Sequence, residues 1–211
     1  LYGYWILVSW GHRRREKLRH HCSDKNPCYS RFTFPVAGVS NVKFLCLSAN
    51  CFEVGSLPAF GNLSKLKLVL HKCFPGKLLT ELLNRSPHLQ YLILEHSDTS
   101  GNKKRSKYKS DSEPDEGLKP QWREPELVPS CLVSNLETIY IEGFKGQLNT
   151  MEVAKYLLRN CAVLKKMTLS SYRLCKGKQA LQKELLMVPK VSKACIVEFV
   201  YDEAFDFEKT I

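Results

Sequence analysis

The 211 residues hold 44% hydrophobic and 25% charged side chains, enough apolar content for one core or one continuous array, which excludes a wholly disordered chain. Lys and Arg number 32 against 21 Asp and Glu, a formal charge of +11, which attracts nucleic acid, anionic membrane or acidic protein without choosing among them. Nine cysteines at irregular spacing suit free thiols in a reducing compartment, nucleus or cytoplasm, better than a disulfide framework.

Residues 1–38 read as a basic N-terminal segment. The apolar run Leu1–Trp10 is far short of the ~20 residues that cross a bilayer. Arg13, Arg14 and Arg15 follow it, the reverse of a secretory signal, so neither export nor membrane insertion is expected. The chain does not open on Met, so it reads either as a fragment or as a sequence with a misassigned start.

From residue 39 onward one spacing recurs, an apolar residue followed three and five positions later by two more. It fits Val42/Leu45/Leu47, Leu63/Leu66/Leu68, Leu89/Leu92/Leu94, Leu136/Ile139/Ile141, Leu164/Met167/Leu169 and Ala194/Val197/Phe199. The pattern is that of a leucine-rich repeat, in which a short strand buries alternate side chains and stacks on its neighbours. Only Asn50 supplies the usual ladder asparagine at the end of a copy. Between copies lie helical spacings. Leu78, Leu79, Leu82 and Leu83 precede Pro87. Asn149-Thr150-Met151-Glu152 resembles a capping-box start to a helix burying Val153 and Tyr156 or Leu157 and ending near Asn160. Ala180, Leu181, Leu185 and Leu186 precede Pro189.

The fold expected is therefore α/β, a leucine-rich-repeat-like curved solenoid with parallel strands on the concave face and helices on the convex face. Repeats occupy 39–97. Residues 98–120 form a charged loop with almost no apolar positions, expected to be disordered, and 203–211 form an acidic tail.

The stretch after the loop carries Trp122, then Val128-Pro129-Ser130-Cys131-Leu132, the apolar Leu136–Ile141 run leading into Gly143-Phe144-Lys145-Gly146, Lys155-Tyr156-Leu157-Leu158, and Leu164-Lys165-Lys166-Met167. This succession resembles the FBD domain of plant F-box/FBD/LRR-repeat proteins, placed here at 121–202 and continuing the array. The resemblance implies a substrate-recognition part of a Skp-cullin-F-box ubiquitin ligase, whose repeats capture a target protein. No L-P-x-x-[LI]-L pattern of an F-box helix occurs before residue 39, so direct docking of the Skp adaptor is not expected. Without the resemblance, Trp122, Pro129, Cys131 and Phe144 read as packing residues, and Gly143 and Gly146 as turn formers.

Catalytic patterns are missing: no G-x-x-x-x-G-K, G-x-G-x-x-G, H-E-x-x-H or G-x-S-x-G occurs. His20, His21, Cys22 and Cys28 fit no common metal spacing. Cys73 with His71 or His88 could form a nucleophilic pair, although Cys73 sits where repeats place a small buried residue. The reading is a protein-binding module with no enzymatic activity, no cofactor and no metal. Its contact face would be the outward strand positions, Lys43, Lys65, Lys67, Tyr91, Glu95, Tyr140, Glu142, Lys166, Thr168 and Glu198, with Phe44, Cys46, Ser48, Val69, Ile93, Thr138, Ser170, Ile196 and Val200 beside them. The competing reading is a basic nucleic-acid-binding solenoid using Arg13–Arg15 and Lys103, Lys104 and Arg105; it lacks aromatics interleaved with those cations.

Overall fold

Alternation sets each strand. In the run Lys65–Leu70 the residues Leu66, Leu68 and Leu70 are buried while Lys65, Lys67 and Val69 are only partly covered, as a pleated strand with one face against a core requires. The computed structural model describes residues 5–8, 30–31, 40–49, 52–53, 57–70, 76–96, 122–171 and 178–200. Strands β1 (Trp5–Val8), β3 (Phe44–Ala49), β5 (Lys65–Leu70), β6 (Tyr91–His96), β7 (Thr138–Glu142), β8 (Lys166–Ser170) and β9 (Ile196–Val200) form one seven-stranded sheet in that order. Every pairing in it is parallel. Two short strands, β2 (Ser30–Arg31) and β4 (Phe52–Glu53), pair with each other apart from it. The six strands expected from the spacing are present, and β1 adds a seventh from a segment whose sequence gave no repeat.

Register aligns the repeats row by row. Leu45, Leu66, Leu92, Ile139, Met167 and Val197 lie side by side, as do Leu47, Leu68, Leu94, Ile141, Leu169 and Phe199. Both rows belong to the core or pack against it. Helices α1 (Gly76–Asn84), α2 (Ser130–Ser134), α3 (Leu148–Asn160) and α4 (Lys178–Leu186) supply the other half of that core. Leu78, Leu79, Leu82, Leu83, Leu132, Val153, Leu157 and Leu185 are all buried in it, so the helices cover one face of the sheet. At ~1.5–3 kcal/mol for each buried leucine-sized side chain, this stacking is what holds together strands of only five or six residues.

A second ladder runs along the chain just before each strand. The carbonyl of Lys43 accepts from the amides of Ser64 and Lys65, that of Ser64 from Gln90 and Tyr91, that of Gln90 from Glu137 and Thr138, and that of Glu137 from Lys165 and Lys166. The Lys165 carbonyl accepts from Ile196. One residue before the first apolar position of a copy, Asn62 donates its side-chain amide to Asn41, and Asn135 donates to the Pro87 carbonyl at 2.9 Å. The asparagine contribution thus comes at the start of the copies; Asn50 lies outside the described residues.

Several expectations are corrected. Ala194 is exposed and Cys195 fills the slot ahead of β9, because a turn hydrogen-bonded from Cys195 N to Ser192 O, with Ser192 Oγ donating to the Leu164 carbonyl, shifts the approach by one residue. No capping box starts α3. Its N-cap is Gln147, whose side chain makes no cap bond; Thr150 reaches His96 and Asn149 accepts from the Trp122 amide instead. In α4 Leu185 is buried, but Ala180 and Leu186 are exposed, since among the helices α4 packs chiefly against α3. Helix α2 was not legible, five residues being too few to show a helical period. Gly143 and Gly146 do adopt φ of +70° and +79°, turning the chain around a buried Phe144. The loop 98–120 and the tail 203–211 lie outside the described residues.

Candidate interaction face

The sheet face away from the helices carries three rows set by the register. The leading row, nearest the strand starts, holds Phe44, Lys65, Tyr91, Thr138, Lys166 and Ile196; the middle row holds Cys46, Lys67, Ile93, Tyr140, Thr168 and Glu198; the third includes Val69, Glu95 and Glu142. Every strand position of the expected contact set lies on this face. Lys43 does not: it sits one residue before β3, exposed, with its carbonyl at the first rung of the backbone ladder.

The rows differ in accessibility. Ile93, Tyr140, Glu142, Thr168 and Ser170 were expected to be open to solvent, yet each is at most 9% exposed. Central strands about 4.8 Å apart place Tyr140 between Ile93 and Thr168, and such rungs shield one another. Lys166 and Glu198 remain open at 49% and 43%, and Ile196 at 61%.

Charges on the face are largely matched within the chain. Lys67 Nζ lies 2.7 Å from Glu95 Oε2 and Lys166 Nζ 2.9 Å from Glu198 Oε2; at the strand approaches Lys165 Nζ lies 2.8 Å from Glu137 Oε2. Burial opposes the charge on Lys67, but its hydrogen bond to Glu95 and the nearby charges of Glu95, Glu142 and Cys46 outweigh it and hold the ammonium above its ordinary pKa. Beside it, burial pushes the Cys46 thiol up, Lys67 opposing and Glu95 adding to the rise. Lys65 is held differently: its Nζ lies 5.4 Å from the Phe44 ring centroid and 4.7 Å from that of Tyr91, within cation–π range of both. Aligning the three copies Phe44, Lys65 and Tyr91 would have shown this row from sequence.

Among the described residues no group of three or more His, Cys, Asp or Glu could hold a metal ion. No described helix is long and apolar enough to cross a membrane. His88 is exposed, while Cys73, His71, the His20–Cys28 group and the basic clusters at 13–15 and 103–105 lie outside the described residues.

The stretch from the Trp122 anchor through β8 is built as follows. Trp122 is buried with its ring edge-on to Tyr156 at 5.8 Å, Cys131 Sγ donates to the Leu83 carbonyl at 3.4 Å, and the Phe144 amide donates to Ser170 O. The FBD family pattern matches residues 124–169 of it, and an F-box/FBD/LRR-repeat protein of Arabidopsis thaliana is 33% identical to the chain over 171 residues, 78% of this chain and 36% of that relative. The chain is a homologue of the plant F-box/FBD/LRR-repeat proteins. An FBD-associated F-box protein of the same plant is 34% identical over 146 residues, covering 64% of this chain and 28% of its own length. Another F-box/FBD/LRR-repeat protein is 29% identical over 173 residues, 79% and 35%. The chain spans about a third of the length of these relatives. No solved structure matches it. In this F-box/FBD/LRR homologue the FBD region contributes β7, β8, α2 and α3, and β7 pairs with β6 in the same register as the preceding repeats. Its sheet face is thereby continuous with theirs.

Proposed function

We propose that this chain is a protein-recognition module, a leucine-rich-repeat solenoid whose FBD region extends the array. The face opposite the helices captures a target protein for ubiquitination by a Skp-cullin-F-box ligase. The observation that carries the reading is the continuity of that face: rows of side chains pass from the Leu-rich repeats into the FBD region without a break in register. Similarity to F-box/FBD/LRR-repeat proteins supports it. Residues 1–211 act by binding and not by catalysis, inside the cell in nucleus or cytoplasm, and do not themselves retain the Skp adaptor.

Site-specific photo-crosslinking in plant extract tests this. A crosslinker at Thr138, on the sheet face, is expected to capture a discrete partner that one at Lys77, on α1, does not. Capture from Lys77 alone would overturn the assignment of the face, and direct retention of the Skp adaptor by the purified chain would overturn the division of labour.

A further inference from the structure

We propose that the leading row of this face receives an extended acidic segment of the partner protein, a carboxylate of which pairs with Lys65 between the Phe44 and Tyr91 rings. The proposal rests on the reading above that this face takes the target. On the face, Lys67 and Lys166 each have a carboxylate within hydrogen-bond distance. Lys65 has none among the described residues; its ammonium is flanked only by two rings. The rings fix the cation without neutralising it, so the side-chain ordering that binding normally demands is already in place. Lys43, whose carbonyl accepts the Lys65 amide, is exposed one residue before β3 and has no carboxylate partner among the described residues. Along the leading row and the ladder positions before it, Lys43, Lys65, Lys165 and Lys166 stand against Glu137, leaving the strand starts positive. The ring surfaces next to Lys65 offer apolar contact to whatever flanks the incoming carboxylate.

The same geometry disfavours nucleic acid. Glu198 lies two residues beyond the leading row and Glu95 and Glu142 four residues beyond it, about 7 and 13 Å at the rise of a strand. That is near the ~8–10 Å screening length. A polyanion spread over the face would meet those carboxylates, whereas a short acidic segment confined to the Phe44, Lys65 and Tyr91 end of the leading row keeps clear of Glu198, whose carboxylate lies at the Lys166 end. Base stacking on Phe44 or Tyr91 would also have to displace the ammonium already there.

Fluorescence anisotropy with the whole chain tests the proposal. The probes are a fluorescein-labelled peptide of alternating Glu and Leu, its Gln-for-Glu and Lys-for-Glu counterparts, and a single-stranded RNA oligomer. The Glu peptide should bind at least tenfold more tightly than the Gln peptide and weaken as salt rises. Lys65→Gln should abolish that preference without moving the melting temperature, and Lys65→Arg should keep it. Equal binding of Glu and Gln peptides, absence of Glu-peptide binding, or tighter binding of RNA would each overturn the acidic-segment proposal. The crosslinking from Thr138 judges the use of the face separately.

Discussion

Thr150 Oγ1 stands 2.7 Å from His96 Nε2, tying the last residue of β6 to the first turn of α3 across 54 positions of sequence. Between them lie residues 98–120, whose two flanks are also joined by the β6–β7 pairing and by Asn135 donating to Pro87 O. Replacing 98–119 with a short Gly/Ser linker should leave thermal unfolding cooperative and change stability by less than about 1 kcal/mol, since closure cost varies slowly with loop length. Thr150→Val should cost about 1 kcal/mol by removing the hydroxyl from that bond. Loss of the cooperative transition in the linker variant would show that the segment packs on the sheet.

Ile139 is fully buried between Leu92 and Met167, and Ile139→Asp should unfold the chain, at a cost of about 4 kcal/mol or more for an unpaired buried carboxylate. Sequence alternation alone would make Tyr140→Asp mild. With Tyr140 only 7% exposed, it should instead cost at least about 2 kcal/mol, while Lys166→Ala on the open part of the face should stay within about 0.5 kcal/mol. Chemical denaturation of the three variants ranks them.

The two positive-φ glycines should differ in tolerance. A Cβ at Gly143 would stand 2.8 Å from the His96 carbonyl oxygen, part of the β6 backbone, whereas one at Gly146 would meet the flexible tip of Leu181. Both substitutions carry the left-handed strain of roughly 1 kcal/mol, so Gly146→Ala should lower stability by about that and Gly143→Ala by clearly more. Equal melting temperatures for the two would contradict the close approach to His96.

Alkaline pH should destabilise the fold. Burial raises the Cys131 thiol from 9.0 to about 12. Burial, then the nearby Cys161, Glu124 and Cys131, raises the Tyr156 phenol from 10.0 to about 12. Burial also raises Cys161. Each folded-state value exceeds the unfolded one, so the stability from keeping these groups protonated is complete below about pH 9 and is lost between about pH 9 and 12. Lys67, also raised, adds a loss in the same direction above its ordinary value. The melting temperature should fall steadily across that window, and Cys131→Ala with Cys161→Ala should flatten the slope; an unchanged slope would place the titrating groups elsewhere.

Sequence spacing revealed the rows that fill the core, because a buried leucine at every second strand position leaves a period that survives substitution of Leu by Ile, Met or Val. It misjudged Tyr140 and Thr168 because alternation gives direction, not accessibility; what shields them are neighbours such as Ile93 and Glu198 on strands distant in sequence. Ala194 and Asn149 failed for another reason. Each sits where a turn or a distant partner, Ser192 in one case and Trp122 in the other, takes precedence over the local motif. Aligning the copies puts Phe44, Lys65 and Tyr91 in one row, but the placement of the ammonium over the two rings needed the side-chain conformations, and α2 was too short to announce itself.

The ladder of carbonyls before the strands is made by Lys43, Ser64, Gln90, Glu137 and Lys165, five positions with four kinds of side chain and one backbone geometry. Because the alignment of successive units is carried by main-chain groups that every one of these residues possesses, side chains there can be exchanged without moving their neighbours. The scaffold thus separates what keeps the units in step from what they display, leaving the side chains at the rim of this face free to vary.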